Sequence, residues 1–142
     1  MRLAAAPIVF ALLVPGLSGA TADRPKLTLT PNHRMVSSPA HVVVTASVTG
    51  GADYDQQLYC PDLEWEWGDG TKSEESSDCD PFQTGKTEIK RHFTAEHAYL
   101  VESSVDIGRP STDHEVSIRL RLKKYGKTVL SGVTSVRIKP QM

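Results

Sequence analysis

The sequence predicts an all-β protein, an antiparallel β-sandwich of six or seven short strands. Three observations carry this. Several segments alternate apolar and polar residues with the two-residue period of a half-buried strand, most cleanly Val116, Ile118, Leu120 and Leu122 against Ser117, Arg119 and Arg121. Turn signals separate these segments at short intervals. No stretch carries the 3.6-residue period of an amphipathic helix over a useful length.

The strand at Leu63-Glu64-Trp65-Glu66-Trp67 brings both tryptophans of the chain. In a strand Leu63, Trp65 and Trp67 share one face, and Glu64 and Glu66 take the other. Gly68-Asp69-Gly70 ends it. The glycines admit backbone angles closed to other residues, and the Asp side chain can accept hydrogen bonds from nearby amides.

Around this centre the elements follow in order. Leu27 and Leu29 form the inward row of a first strand, broken at Pro31-Asn32. Val42, Val44, Ala46 and Val48 form a second, rich in β-branched residues. Residues 71–81 are polar and acidic, and read as an exposed loop. Lys86–Phe93, where charge outnumbers Ile89, is expected as an edge or surface-facing strand, and Thr94–Tyr99 as a corner. Residues 100–114 read as a long loop. After the 115–122 strand, Lys123–Lys127 is a hairpin turn and 129–139 the last strand, with Gly132 marking a bulge or break.

Residues 1–22 have the form of a secretory signal peptide: Arg2, an apolar run over Leu3–Leu17, then Ala20-Thr21-Ala22, with Ser18-Gly19-Ala20 as a second cleavage candidate. This predicts a mature single domain over 23–142, secreted or periplasmic, without stable membrane insertion once the signal is cleaved. Removing residues 1–22 takes away one charged residue, Arg2, and leaves 15 basic against 17 acidic side chains. That balance argues against nucleic acid as a partner. In an oxidising compartment Cys60 and Cys79 are expected to form one disulfide, tying the acidic loop to the approach of the tryptophan strand.

Trp65-Glu66-Trp67-Gly68-Asp69-Gly70 resembles the W-D-F-G-D-G signature of PKD domains, and His97-Ala98-Tyr99 resembles the H-x-Y motif downstream of it. The resemblance covers roughly residues 26–139. Glu66 and Trp67 stand where that family has Asp and Phe, the 100–114 stretch is longer than usual, and the cysteine pair is an addition. The resemblance implies a seven-stranded Ig-like sandwich that serves extracellular protein or carbohydrate contact, or acts as a spacer, without catalysis. The structural motif is then Trp65, Trp67, Gly68, Asp69, Gly70, His97 and Tyr99.

For each residue that could carry chemistry, the structural reading is preferred. Asp69 is expected to cap turn amides, and the Tyr99 hydroxyl to bond backbone. The histidines are His33, His41, His92, His97 and His114; none are spaced i, i+2, so no metal site is expected, and a metal centre of His92, Glu96 and His97 is the weakest reading. Asp69, Glu74, Glu75, Asp78 and Asp80 supply hard oxygens for which Ca2+ is a minority candidate, but their spacing matches no EF-hand loop. No other cofactor is expected. No nucleophile-elbow, zincin or phosphate-loop motif occurs. The expected function is a non-enzymatic module contacting an extracellular or envelope protein. The alternative is a carbohydrate-binding module using Tyr54, Tyr59 and Tyr125 on a polysaccharide.

Overall fold

A computed structural model describes residues 23–102 and 112–141. Segment 1–22, expected as a signal peptide, and most of the expected 100–114 loop lie outside the described residues.

Two sheets face each other as an immunoglobulin-like β-sandwich. The first contains β1 (Lys26–Pro31), β3 (Ala40–Thr49) and β6 (His92–Tyr99), in the order β1-β3-β6. The second contains β2 (Met35–Ser37), β4 (Asp62–Glu66), β5 (Lys72–Glu75), β7 (His114–Lys124) and β8 (Lys127–Lys139), in the order β2-β8-β7-β4-β5. All neighbours are antiparallel except β2, which runs parallel to β8. The chain therefore changes sheets between β1 and β2, so its first segment belongs to both layers.

The core is made from the inward rows that the alternation marks. Leu27 and Leu29, Val42, Val44, Ala46 and Val48, and Phe93 and Tyr99 face Leu63 and Trp65, Val116, Ile118, Leu120 and Leu122, and Val136 and Ile138. Trp65 and Trp67 are the largest fully buried side chains, and apolar burial of this kind is the dominant stabilising term.

Three expectations for local structure change. Lys86–Arg91 is not a strand: it is irregular, with Ile89 buried and its N–H donated to Asp53 O, and the strand instead runs through His97-Ala98-Tyr99. The reason is that β6 fills inward positions with Ala95 and His97, which break the apolar signal while the backbone still pairs with β3 along its length. The polar loop after Gly70 begins as a strand, β5, held by backbone pairing to β4. Gly132 is neither bulge nor break. It lies in a continuous ladder opposite Leu120, and the irregularity falls at Val129, between the Leu122–Leu130 and Lys123–Thr128 pairs. Glycine is needed at 132 because β8 crosses close to β1 there: a Cβ would run into the Leu27 carbonyl oxygen and lie 2.6 Å from Leu29 Cδ1.

Candidate functional site

Trp65 and Trp67 project from one face of β4 and its extension, so their rings meet. They stack 5.3 Å apart with planes within 7°. The His97 ring continues the stack from the other sheet, 4.7 Å from Trp67 and 8° from parallel. Tyr99, two residues on along β6, meets His97 edge-on at 4.7 Å. Its hydroxyl donates to the Trp67 carbonyl at 2.6 Å, and Trp67 Nε1 donates to Ser73 Oγ at 2.8 Å. The Trp65 indole N–H is buried with no acceptor among the described residues.

The turn closes over this stack. Gly68 has φ +81°, and a Cβ on it would lie 2.5 Å from Ser117 O, so glycine is required both for the backbone angle and for the approach to β7. Gly70 has φ +86° in open space. Asp69 Oδ1 accepts from the Thr71 N–H at 3.0 Å and from the Thr71 hydroxyl at 2.5 Å. Asp69 Oδ2 lies 2.7 Å from His97 Nε2. Burial pushes the Asp69 carboxyl up, but the hydrogen bonds from Thr71 and His97 outweigh it and leave the group below its ordinary value. Burial, with a smaller contribution from the Asp69 charge, raises the Tyr99 phenol well above its ordinary value.

The three polar groups Asp69, Thr71 and His97 are not arranged as an acid–base–nucleophile relay. Asp69 Oδ2 and Thr71 Oγ1 both sit on the same ring nitrogen of His97, at 2.7 and 3.3 Å, whereas an acid–base–nucleophile relay needs its partners on opposite nitrogens. Asp69, Thr71 and His97 Nε2 hydrogen-bond one another, and the Tyr99 hydroxyl bonds the Trp67 carbonyl. They form a clasp that pins β4 of one sheet to β6 of the other. Thr71 was not among the residues singled out from the sequence. Its signal is the two-residue spacing after Asp69, the spacing at which an Asp side chain reaches a backbone N–H.

Beyond this clasp, His92 accompanies Ser47 on the outer face of the three-stranded sheet at 3.2 Å, and Glu96 shares that face, while His97 points inward. These three residues do not converge. Among the described residues, no group of three or more His, Cys, Asp or Glu side chains is placed to hold a metal ion. On the outer face of the five-stranded sheet, Arg121 Nη1 donates to Glu64 Oε1 at 2.9 Å and to Glu66 Oε1 at 2.5 Å, Lys123 also reaches Glu64, and Lys72 lies 3.4 Å from Glu66. These cations cover Glu64 until only 8% of it is exposed.

The opposite end of the sandwich, about seven residues or roughly 23 Å along β7 from Ser117, carries a second cluster. The Cys60–Cys79 disulfide forms there, closing a sequence separation of 19. The Tyr59 hydroxyl donates to Asp80 O at 2.5 Å, and its ring meets Phe82 at 5.4 Å. Lys124 Nζ donates to Tyr59 O at 2.5 Å and lies over two rings, 5.6 Å from Tyr59 and 5.5 Å from Tyr125. Tyr125 is 91% exposed. It has φ +51°, a conformation costing an L residue on the order of 1–2 kcal/mol. Tyr54 lies in the adjoining loop and is also exposed.

No family model matches the chain, and no curated protein matches it. Two solved structures of the CARDB domain of the PF1109 protein from Pyrococcus furiosus are similar to it. One, a crystal structure in complex with di-metal ions, has 8% identity, covers 84% of this chain and 96% of that one, and has a TM-score of 0.45. The other, a solution NMR structure, has 7% identity, covers 82% and 95%, and has a TM-score of 0.48.

Proposed function

We propose that the chain is an exported, PKD-like, non-enzymatic module that binds a protein through the end of the sandwich tied by Cys60–Cys79. The observation that carries this is the distribution of side chains between the two ends. The W-E-W-G-D-G and H-A-Y groups are largely engaged inside the fold, while Tyr59, Phe82 and Tyr125 lie at the disulfide end. Aromatic side chains with a polar handle dominate binding energy at protein interfaces. The disulfide supports an oxidising compartment, and no helix among the described residues is long and apolar enough to cross a membrane.

A polysaccharide is the second reading. It is favoured by the two tyrosine rings, 59 and 125, that flank Lys124 and offer apolar faces for sugar stacking. The deciding experiment places a photo-crosslinking residue at Gln83, in the disulfide end, and at Thr28, on the outer face of the three-stranded sheet. Protein adducts from Gln83 and not from Thr28 are expected. Adducts of equal yield from both positions overturn the assignment of this end, and glycan-array binding without protein adducts selects the polysaccharide.

A further inference from the structure

The β7–β8 connection is a two-residue hairpin loop, Tyr125-Gly126, between the paired residues Lys124 and Lys127. Both loop residues have positive φ, +51° and +75°. This is the backbone of a type I′ turn, whose first position favours Asn, Asp or Gly. A bulky aromatic residue with positive φ is an outlier. Here the aromatic ring gains little inside the fold, because Tyr125 is 91% exposed, with the Lys124 ammonium above it. Its base is nevertheless fixed. Lys124 is anchored on the Tyr59 carbonyl, and Tyr59 is anchored through its hydroxyl on Asp80 in the disulfide loop. A strained, exposed and preorganised aromatic residue has the character of an interface anchor.

At the tip itself the charged side chains are cationic, while the acids of this end, Asp62, Asp78 and Asp80, belong to the strand and disulfide loop at its base. Lys124 and Lys127 flank the ring, and Lys127 has no ion pair among the described residues. Asp62 stands opposite Lys123 in the ladder, and Lys123 is paired with Glu64. We propose that this hairpin tip is a docking element for a partner protein, with Tyr125 entering an apolar pocket whose rim is acidic and faces Lys124 and Lys127. The inference rests on the reading of the chain as a protein-binding module. An anionic lipid surface is the weaker occupant. One aromatic ring and two lysines fall short of the two strong signals that stable membrane anchoring requires, since a single myristoyl chain alone binds only marginally.

The test uses the exported chain in its own cells, with a photo-crosslinking residue at the exposed Thr128 and mass spectrometry of the adducts. The expected adduct is a partner peptide in which Asp or Glu flanks apolar residues. Tyr125→Asn, which suits the turn, is expected to raise Tm by about 4 °C and to cut adduct yield at least about tenfold. Tyr125→Phe retains the adduct, and Lys127→Glu lowers it severalfold. Three results overturn the inference: an adduct unchanged in Tyr125→Asn, a lower Tm in that variant, or adducts confined to lipid or to basic peptides. Protein adducts from Gln83 with none from Thr128 overturn this inference and leave the protein-binding reading standing. Absence of adducts from both positions removes both.

Discussion

His97 lies flat on Trp67, ring centroids 4.7 Å apart and planes within 8°, although the two residues come from different sheets. The same imidazole is held at its edge by Asp69, 2.7 Å from Nε2. Face and edge are thus fixed together, and the sandwich is pinned at one end by a ring that a hydrophobicity scale would not place inside.

The clasp should be separable by substitution. His97→Ala removes both the stack and the Asp69 contact, and is expected to destabilise by about 2–3 kcal/mol. His97→Phe keeps the stack, loses the contact and should cost about 1 kcal/mol. Urea denaturation of the two variants measures the difference. Equal costs would show that Asp69 contributes nothing through His97.

Acid should weaken the fold in a defined window. Asp69 is depressed because its hydrogen bonds from Thr71 and His97 outweigh burial. Glu64 is lowered foremost by the Lys123 hydrogen bond, acting against burial, and Glu66 foremost by Arg121. A carboxyl with a lower folded than unfolded pKa contributes stability that is present above its unfolded value and lost as pH falls through the folded one. Stability should therefore hold from neutral pH to about 5 and drop below about 4. Asp69→Asn should make that drop shallower in denaturation curves taken across pH. Tyr99 has the opposite sign. Its folded pKa is raised, so its contribution is present below about pH 10 and lost as pH rises beyond.

Two glycines of one turn should respond differently to the same change. Gly68→Ala combines the strain of φ +81° with a contact to the Ser117 carbonyl and should cost about 3 kcal/mol or more. Gly70→Ala meets open space at φ +86° and should cost about 1 kcal/mol. Thermal melts of the pair test whether β7 is the wall that makes Gly68 necessary.

Reduction of Cys60–Cys79 frees a separation of 19 residues and should cost about 3 kcal/mol on the chain-entropy account. Melts with and without reductant measure this. Cys60→Ser with Cys79→Ser should melt like the reduced protein.

Much of the fold was legible because apolar residues fall at every second position where strands are half buried: Val42 to Val48 and Val116 to Leu122 lie on the inner faces as their spacing implies. The tryptophan strand was legible for the same reason. β5 was not, because Lys72-Ser73-Glu74-Glu75 has no apolar residue and is held by backbone pairing to β4 and by polar side-chain contacts to Glu66 and Trp67. The extent of β6 was hidden by Ala95 and His97 in its inward row. At the candidate sites, the residues of the clasp other than Thr71 were visible as a motif, but the hold of Lys124 on Tyr59 was not, because the two are 65 positions apart in the chain. Only the pairing of β4 with β7 brings them to one end.

The switch of the chain from β1 in one layer to β2 in the other has a mechanical consequence. β2 runs parallel to β8 through the pairs Met35–Arg137, Val36–Ile138 and Ser37–Lys139, so segments near the two ends of the described chain lie side by side and point the same way. Tension applied between those ends would load the β2–β8 hydrogen bonds together, in shear, rather than peel them open one after another. A module strung between two anchored neighbours would meet a pull with β2 and the last strand, β8, locked as a lap joint.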